Sequence, residues 1–196
     1  MTKRTIKLAD NTISEEEIRS LAGWLQEGKQ LTKGPLTREF EAEFAAYTGT
    51  KYSIMVNSGS SANLLMAYSL LEAGYLRNKK VIVPAVSWIT TLSPFVQMDF
   101  ECFLCDSDAN DLGVDLNHLE ALLKKERPAL LILVHILGHP NQMDAIHRLC
   151  NQYGCLVIED ACEALGSEYK GKKTGALSLA GSFSFYYGHH ISSIEG

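Results

Sequence analysis

A chain of 196 residues, 46% hydrophobic and 21% charged, has the size and composition of one soluble globular domain with a substantial core. Its formal charge of -5 gives nucleic acid or an anionic membrane nothing to attract, and neither is an expected partner. No run approaches ~20 uninterrupted apolar residues, Met1-Thr2-Lys3-Arg4 leads into polar sequence with no signal-peptide pattern, and five cysteines lack framework spacing. The expectation is a cytoplasmic protein with reduced thiols.

In chain order, Ser14-Glu15-Glu16-Glu17 is a capping-box signature opening a helix through Ile18, Leu21, Trp24 and Leu25. Gly34-Pro35 breaks the chain, and a second helix carries Phe40, Phe44 and Tyr47 before Gly49. Strands and helices then alternate. Strands are predicted at Tyr52 to Val56, Val81 to Val83, Glu101 to Cys105, Ala129 to His135, Leu156 to Glu159 and Ser182 to Phe185. Helices are predicted at Ser60 to Ala73, Thr90 to Met98, Leu116 to Lys125 (Asp115 as N-cap) and Met143 to Tyr153. Lys79-Lys80, Lys124-Lys125 and Lys172-Lys173 read as solvated turns or helix ends. The pattern predicts an α/β fold with a mainly parallel sheet covered on both faces, its ligands at the strand C-terminal ends. A chain ending on Ile-Glu-Gly straight after its most distinctive motif, with no capping helix, is expected to be a fragment.

Six stretches invite chemistry. Asn57-Ser58-Gly59-Ser60-Ser61-Ala62 joins a strand to a helix; its backbone N–H groups suit either a phosphate or a plain helix cap. Walker A and dinucleotide glycine patterns are absent. Asp160, just past a buried strand beside Glu159, suits a protonated pyridine nitrogen, a metal or a cap. Trp88 follows a strand end, as a stacking platform or as core. Cys102 and Cys105 fall on opposite faces of a strand, which argues against zinc. His135 and His139 have a ligand spacing that needs a helix, but Gly138 and Pro140 make this a loop, so both read as structural or as lining a site. His189-His190 lies in a Gly-containing turn, where an imidazole titrating near ~6.5 suits a general base.

Taken together, these stretches resemble the DegT/DnrJ/EryC1/StrS family of vitamin-B6-dependent sugar aminotransferases and dehydratases. The resemblance runs from Leu31-Thr32-Lys33-Gly34-Pro35 and Phe40-Glu41-Ala42-Glu43-Phe44 through Asn57-Ser58-Gly59-Ser60, Val83-Pro84-Ala85, Val134-His135-Ile136-Leu137-Gly138 and Glu159-Asp160-Ala161 to Ser184-Phe185-Tyr186-Tyr187-Gly188-His189. It implies the large domain of an aspartate-aminotransferase-like fold (fold type I). Residues 1–35 would be an N-terminal helical segment, 36–196 the cofactor-binding domain, and the small domain would be missing. It further implies a cytoplasmic homodimer with no metal site in this chain. By position, Gly59, Ser60 and Ser184 would hold the phosphate of pyridoxal 5'-phosphate, Trp88 would stack on its ring and Asp160 would keep its nitrogen protonated. Glu163 stands where the family usually has a glutamine near the ring hydroxyl.

One departure decides the branch implied. Where the aminotransferases carry the lysine that bonds covalently to the cofactor, this sequence has His189, and no lysine occurs between Lys173 and Gly196. The cofactor would then bind noncovalently as pyridoxamine 5'-phosphate, which resembles the 3-dehydratases of dideoxysugar synthesis. Tyr187 and Ile194, in place of the usual Pro and Gly, fit that branch. His189 would remove a proton from the cofactor's methylene carbon while the 3-hydroxyl of a nucleotide-linked 4-keto-6-deoxyhexose leaves as water. Two kinds of enzyme remain open. One acts on GDP-4-keto-6-deoxymannose with L-glutamate as amino donor, and the short lead before Gly34-Pro35 resembles it. The other acts on CDP-4-keto-6-deoxyglucose with an iron–sulfur cluster and a reductase, and Cys162 would match one of its ligands. A nucleotide-sugar aminotransferase using another base, and a noncatalytic binding protein, are the remaining alternatives.

Overall fold

The computed structural model describes residues 9, 13–193 and 196. The readings placed on Met1 to Arg4 and on Ile194 lie outside the described residues.

Capping chemistry sets the first helices. Helix α1 (Glu15–Gln26) opens on the predicted box: Ser14 Oγ accepts from the Glu17 N–H at 3.2 Å, and Glu17 Oε2 accepts from the Ser14 N–H at 2.6 Å. Helix α2 (Pro35–Thr48) starts on proline, whose missing N–H costs nothing there, and stops at Gly49 with φ of 75°. Helices α3 (Gly59–Glu72), α4 (Ile89–Gln97), α5 (Leu116–Glu126) and α6 (Met143–Tyr153) follow, with Asp115 capping α5 as expected.

Strands β1 (Lys80–Pro84), β2 (Glu101–Cys105), β3 (Leu130–Val134), β4 (Leu156–Asp160) and β7 (Gly181–Ser182) form a five-stranded sheet, ordered β2-β1-β3-β4-β7 with every pair parallel. Because β3 is buried along its whole length, it reads as a continuous apolar run. One face of the sheet packs Leu119, Leu123, Met143 and Ile146 of α5 and α6 against Ile82, Leu131 and Val157. The other packs Met66, Ala67, Leu70 and Phe95 of α3 and α4 against Val81, Val83, Ile132 and Ile158. The sheet therefore lies between two helical layers, as expected.

Four expectations need correction. Tyr52 to Val56 is extended but joins no ladder among the described residues: the Met55 N–H goes to Glu41 Oε1 at 2.9 Å, and Tyr52 and Ile54 face solvent. Alternating hydrophobicity supplied the strand pattern there, not a partner. The last strand is two residues, since β4 offers β7 only Glu159 and Asp160; Phe183 and Phe185 leave it to pack edge-on against Phe44 of α2. Asp160 is the last residue of β4 itself, paired with Ser182. Lys172-Lys173 is strand β6, paired antiparallel with β5 (Glu168–Tyr169), and Lys173 Nζ bonds Glu168 Oε1 at 2.7 Å; Lys80 likewise opens β1. Among the described residues, no helix is long and apolar enough to cross a membrane.

Candidate active site

The strand order reverses between β1 and β3: the chain steps outward to β2, then returns to β3 and continues to β4. Parallel sheets open a crevice at the strand C-terminal ends beside such a reversal. The segments leaving β1, β3, β4 and β7 carry Trp88, Leu137, Asp160 to Glu163 and Ser184 to His189 there, and α3 starts among them.

Gly59 is the first residue of α3 and is buried. A Cβ at this position would lie 2.8 Å from both Cys162 Sγ and Ser184 Cβ, and 3.2 Å from Ser184 Oγ. A glycine is therefore required by space, and the helix start is brought against Ser184. Ser60 is exposed, with its hydroxyl donating to Thr90 Oγ1 at 3.2 Å in the first turn of α4, so two helix N-termini converge. Ser184 Oγ accepts from the Tyr186 N–H at 3.2 Å. The expected phosphate group (Gly59, Ser60, Ser184) is thus gathered at an N-terminus whose dipole favours an anion.

Asp160 is buried, yet its carboxylate is supplied with donors. Oδ2 accepts from Asn63 Nδ2 at 2.7 Å and from Thr91 Oγ1 at 2.8 Å; Oδ1 accepts from the Cys162 N–H at 3.1 Å. Asn63 is in turn fixed by Ser182, whose hydroxyl donates to Asn63 Oδ1 at 2.6 Å. Asn63, Thr91 and Ser182 were not identified from sequence. A signal existed: Asn63 shares the buried face of α3 with Met66, Ala67 and Leu70, and Thr91 that of α4 with Pro94 and Phe95. A polar side chain at an apolar-face position must find a buried partner.

His189 ends a turn in which its N–H donates to the Tyr186 carbonyl at 2.9 Å, and its ring stands edge-on to Tyr186 at 5.9 Å. Burial holds the imidazole below the usual histidine value; the charges of Glu163 and Asp160 pull it up and His190 pushes it down. Asp160 pairs with Ser182 across β4 and β7, so the segments carrying Glu163 and His189 leave neighbouring strands at the same sheet edge. Glu163 is half-buried, with Oε2 accepting from the Leu137 N–H at 2.9 Å. The Trp88 ring, at the start of α4, is 73% exposed, so it is not core and remains free to stack.

Other candidates separate from the cleft. His135 is wholly buried; its Nδ1 accepts from the Asn141 N–H at 3.2 Å, so Nε2 carries the proton and donates to Glu159 Oε2 at 2.8 Å. It is structural. His139 is exposed on the same loop. Cys105 packs into one helical layer and Cys102 against the other, on opposite sheet faces as expected. The Cys162 thiol is pushed strongly up, first by burial and then by the Asp160 charge. Among the described residues, no group of three or more His, Cys, Asp or Glu could hold a metal.

The cleft therefore has a sterically enforced glycine at a helix start, a flat exposed indole and a fixed buried carboxylate. Those are the parts needed by a planar, phosphorylated pyridine, and the residues fit that group. The sequence profile of the DegT/DnrJ/EryC1/StrS aminotransferase family matches residues 11–196. GDP-4-keto-6-deoxy-D-mannose 3-dehydratase of Yersinia pseudotuberculosis is 38% identical over 192 residues, covering 96% of this chain and 48% of that protein. Two crystal structures of GDP-4-keto-6-deoxymannose-3-dehydratase are also similar, each 32% identical over 97% of this chain and 50% of theirs. A mutant with bound GDP-perosamine superposes with a TM-score of 0.86, and one with a trapped PLP-glutamate geminal diamine with 0.84. The chain spans about half the length of these relatives. With fold, cleft residues and sequence in agreement, this chain belongs to the DegT/DnrJ/EryC1/StrS aminotransferase family.

Proposed function

We propose that this chain is the cofactor-binding part of a dehydratase that removes the 3-hydroxyl of a nucleotide-linked 4-keto-6-deoxyhexose. The substrate proposed is GDP-4-keto-6-deoxymannose, with L-glutamate as amino donor, by similarity to the relatives above. Residues 36–196 are assigned as the cofactor-binding unit and residues 1–35 as a helical segment preceding it. The single observation that carries the reading is an imidazole, His189, where the family's lysine stands, on the segment leaving β7 beside the β4 end that carries Asp160 and Glu163.

Each side chain then has a task. Gly59, Ser60 and Ser184 receive the phosphate at the start of α3. Trp88 would stack on the ring, and Asp160 would accept from its protonated nitrogen. Glu163 faces the ring hydroxyl and stays anchored by the Leu137 N–H. When bound, pyridoxamine 5'-phosphate supplies a primary amine for the sugar carbonyl and an electron sink in its protonated ring. Burial favours the neutral imidazole of His189, which would serve as the base of the reaction and, once protonated, as the acid for the departing hydroxyl. It has no primary amine with which to trap the cofactor.

A cytoplasmic homodimer is proposed with this function. Leu64, Leu65 and Tyr68 of α3 and Ile89 and Val96 of α4 stay exposed, which supports a covered face. The test is a product assay on the full-length protein with pyridoxal phosphate, glutamate and GDP-4-keto-6-deoxymannose, without reductase. A 4-keto-3,6-dideoxy sugar by mass and NMR is expected; a 4-amino sugar would refute the dehydratase. His189→Asn should retain cofactor affinity and lose dehydration by about 10²-fold or more, the usual range for a proton-transfer group.

A further inference from the structure

The relay around Asp160 goes further than the cofactor contacts assigned above. A carboxylate has two oxygens with about two acceptor directions each. Asn63 Nδ2 and Thr91 Oγ1 fill both directions of Oδ2, at 2.7 and 2.8 Å, while the Cys162 N–H takes one direction of Oδ1 at 3.1 Å. Oδ1 is therefore the less occupied oxygen, taking that N–H with the neutral Cys162 thiol close beside the carboxylate. The donors cannot exchange roles: Ser182 donates to Asn63 Oδ1 at 2.6 Å, which fixes the amide with its NH₂ toward Asp160. Asn63, Thr91 and Asp160 are all almost fully buried, so water does not compete for these bonds. The Cys162 thiol, beside Asp160 and Ser182, stays neutral because burial opposes its ionisation. His189 and Glu163 are the titratable groups that share the cleft with Asp160.

We infer that Asn63 and Thr91 are positioning residues that lock the Asp160 carboxylate so that only Oδ1 accepts from the ring nitrogen, with Ser182 fixing Asn63. The inference rests on the pyridoxal phosphate reading. Its elements are those that build the rest of the cleft: Asn63 lies one turn beyond the phosphate-facing start of α3, and Thr91 three residues beyond Trp88 on α4. The same two helices that would hold the phosphate and the ring face therefore also orient the group that meets the ring nitrogen. Removing one donor frees the carboxylate to turn, so that Oδ2 competes with Oδ1 for the ring N–H and the Oδ1 contact weakens.

The experiment uses full-length protein loaded with pyridoxal phosphate labelled with ¹⁵N in its ring, whose NMR shift reports protonation of that nitrogen directly. Thr91→Val keeps the shape and removes the hydroxyl; Thr91→Ser restores it; Asn63→Ala removes the amide. The ring nitrogen of Thr91→Val should deprotonate about one pH unit lower than in the unaltered protein, the equivalent of one net hydrogen bond, and Thr91→Ser should return it. Asn63→Ala should shift it in the same direction if it folds, and Thr91→Val decides the matter if it does not. An unchanged ¹⁵N titration in Thr91→Val, with cofactor bound, would overturn the inference alone. Failure of the unaltered protein to bind the cofactor would overturn the functional reading, and this inference with it.

Discussion

Replacing Glu159 by glutamine should destabilise the protein severely, although it changes only one oxygen to an amide. Glu159 is wholly buried on β4, adjacent in sequence to Asp160, so the two side chains leave opposite faces of the strand. Its carboxylate accepts three hydrogen bonds: from the Gly175 N–H at 2.7 Å, the Leu177 N–H at 2.8 Å and His135 Nε2 at 2.8 Å. Glutamine offers one acceptor oxygen, so wherever its NH₂ sits it faces a backbone N–H. His135 cannot adapt, since its Nδ1 already accepts from Asn141. One buried donor is left unsatisfied, at about 1–3 kcal/mol, and the remaining bonds lose their charge assistance, for a total of about 3–5 kcal/mol. For a chain of this length that corresponds to a fall in Tm of roughly 10 °C. Guanidinium unfolding followed by circular dichroism, with an unchanged m-value, measures it. The cycle with His135→Ala should show coupling above about 1 kcal/mol. A loss below about 1 kcal/mol for Glu159→Gln would refute the donor count.

Gly59→Ala should leave the sheet intact but push the new Cβ against Cys162 and Ser184, weakening pyridoxal phosphate binding about tenfold or more in a fluorescence titration, as expected for an overpacked site. The reaction's acid limb should report His189: its folded value is depressed by burial, so it is neutral above that value, and kcat/KM should fall only as pH drops below ~6.5. A midpoint above that value would mean that Glu163 and Asp160 outweigh burial. Ser14→Ala should cost α1 about 1 kcal/mol by losing its capping box, measured as local amide exchange in residues 15–18, with no effect on the cleft.

The sequence carried the fold where local chemistry decides structure. Ser14, Asp115 and Gly49 marked helix ends correctly, and the apolar strand read at Ala129 to His135 is found as Leu130–Val134. It misled at Tyr52 to Val56 because alternation predicts an extended segment, while a strand needs a neighbour whose position is a tertiary matter. The hairpin of Glu168–Tyr169 and Lys172–Lys173 was hidden for a related reason: two-residue strands have no period to read. In the cleft, the glycine, the tryptophan, Asp160 and the histidine turn were visible as motifs. Their support was not, because Asn63, Thr91 and Ser182 lie on three separate elements and acquire meaning only when packing places them around one carboxylate.

That support also sets when the cleft can exist. Asn63 meets Asp160 across 97 residues of sequence and Ser182 across 119, while Thr91 meets Asp160 across 69. Contacts so distant along the chain are slow to form, because the intervening loop must close before they are rewarded. A nascent polypeptide emerging from the ribosome could pair β1 with β2 early, yet could not complete the Asp160 relay until β7 had been made. Acquisition of ligand-binding competence should therefore be among the last events of folding, and a cofactor added during refolding would serve as a clock for its final stage.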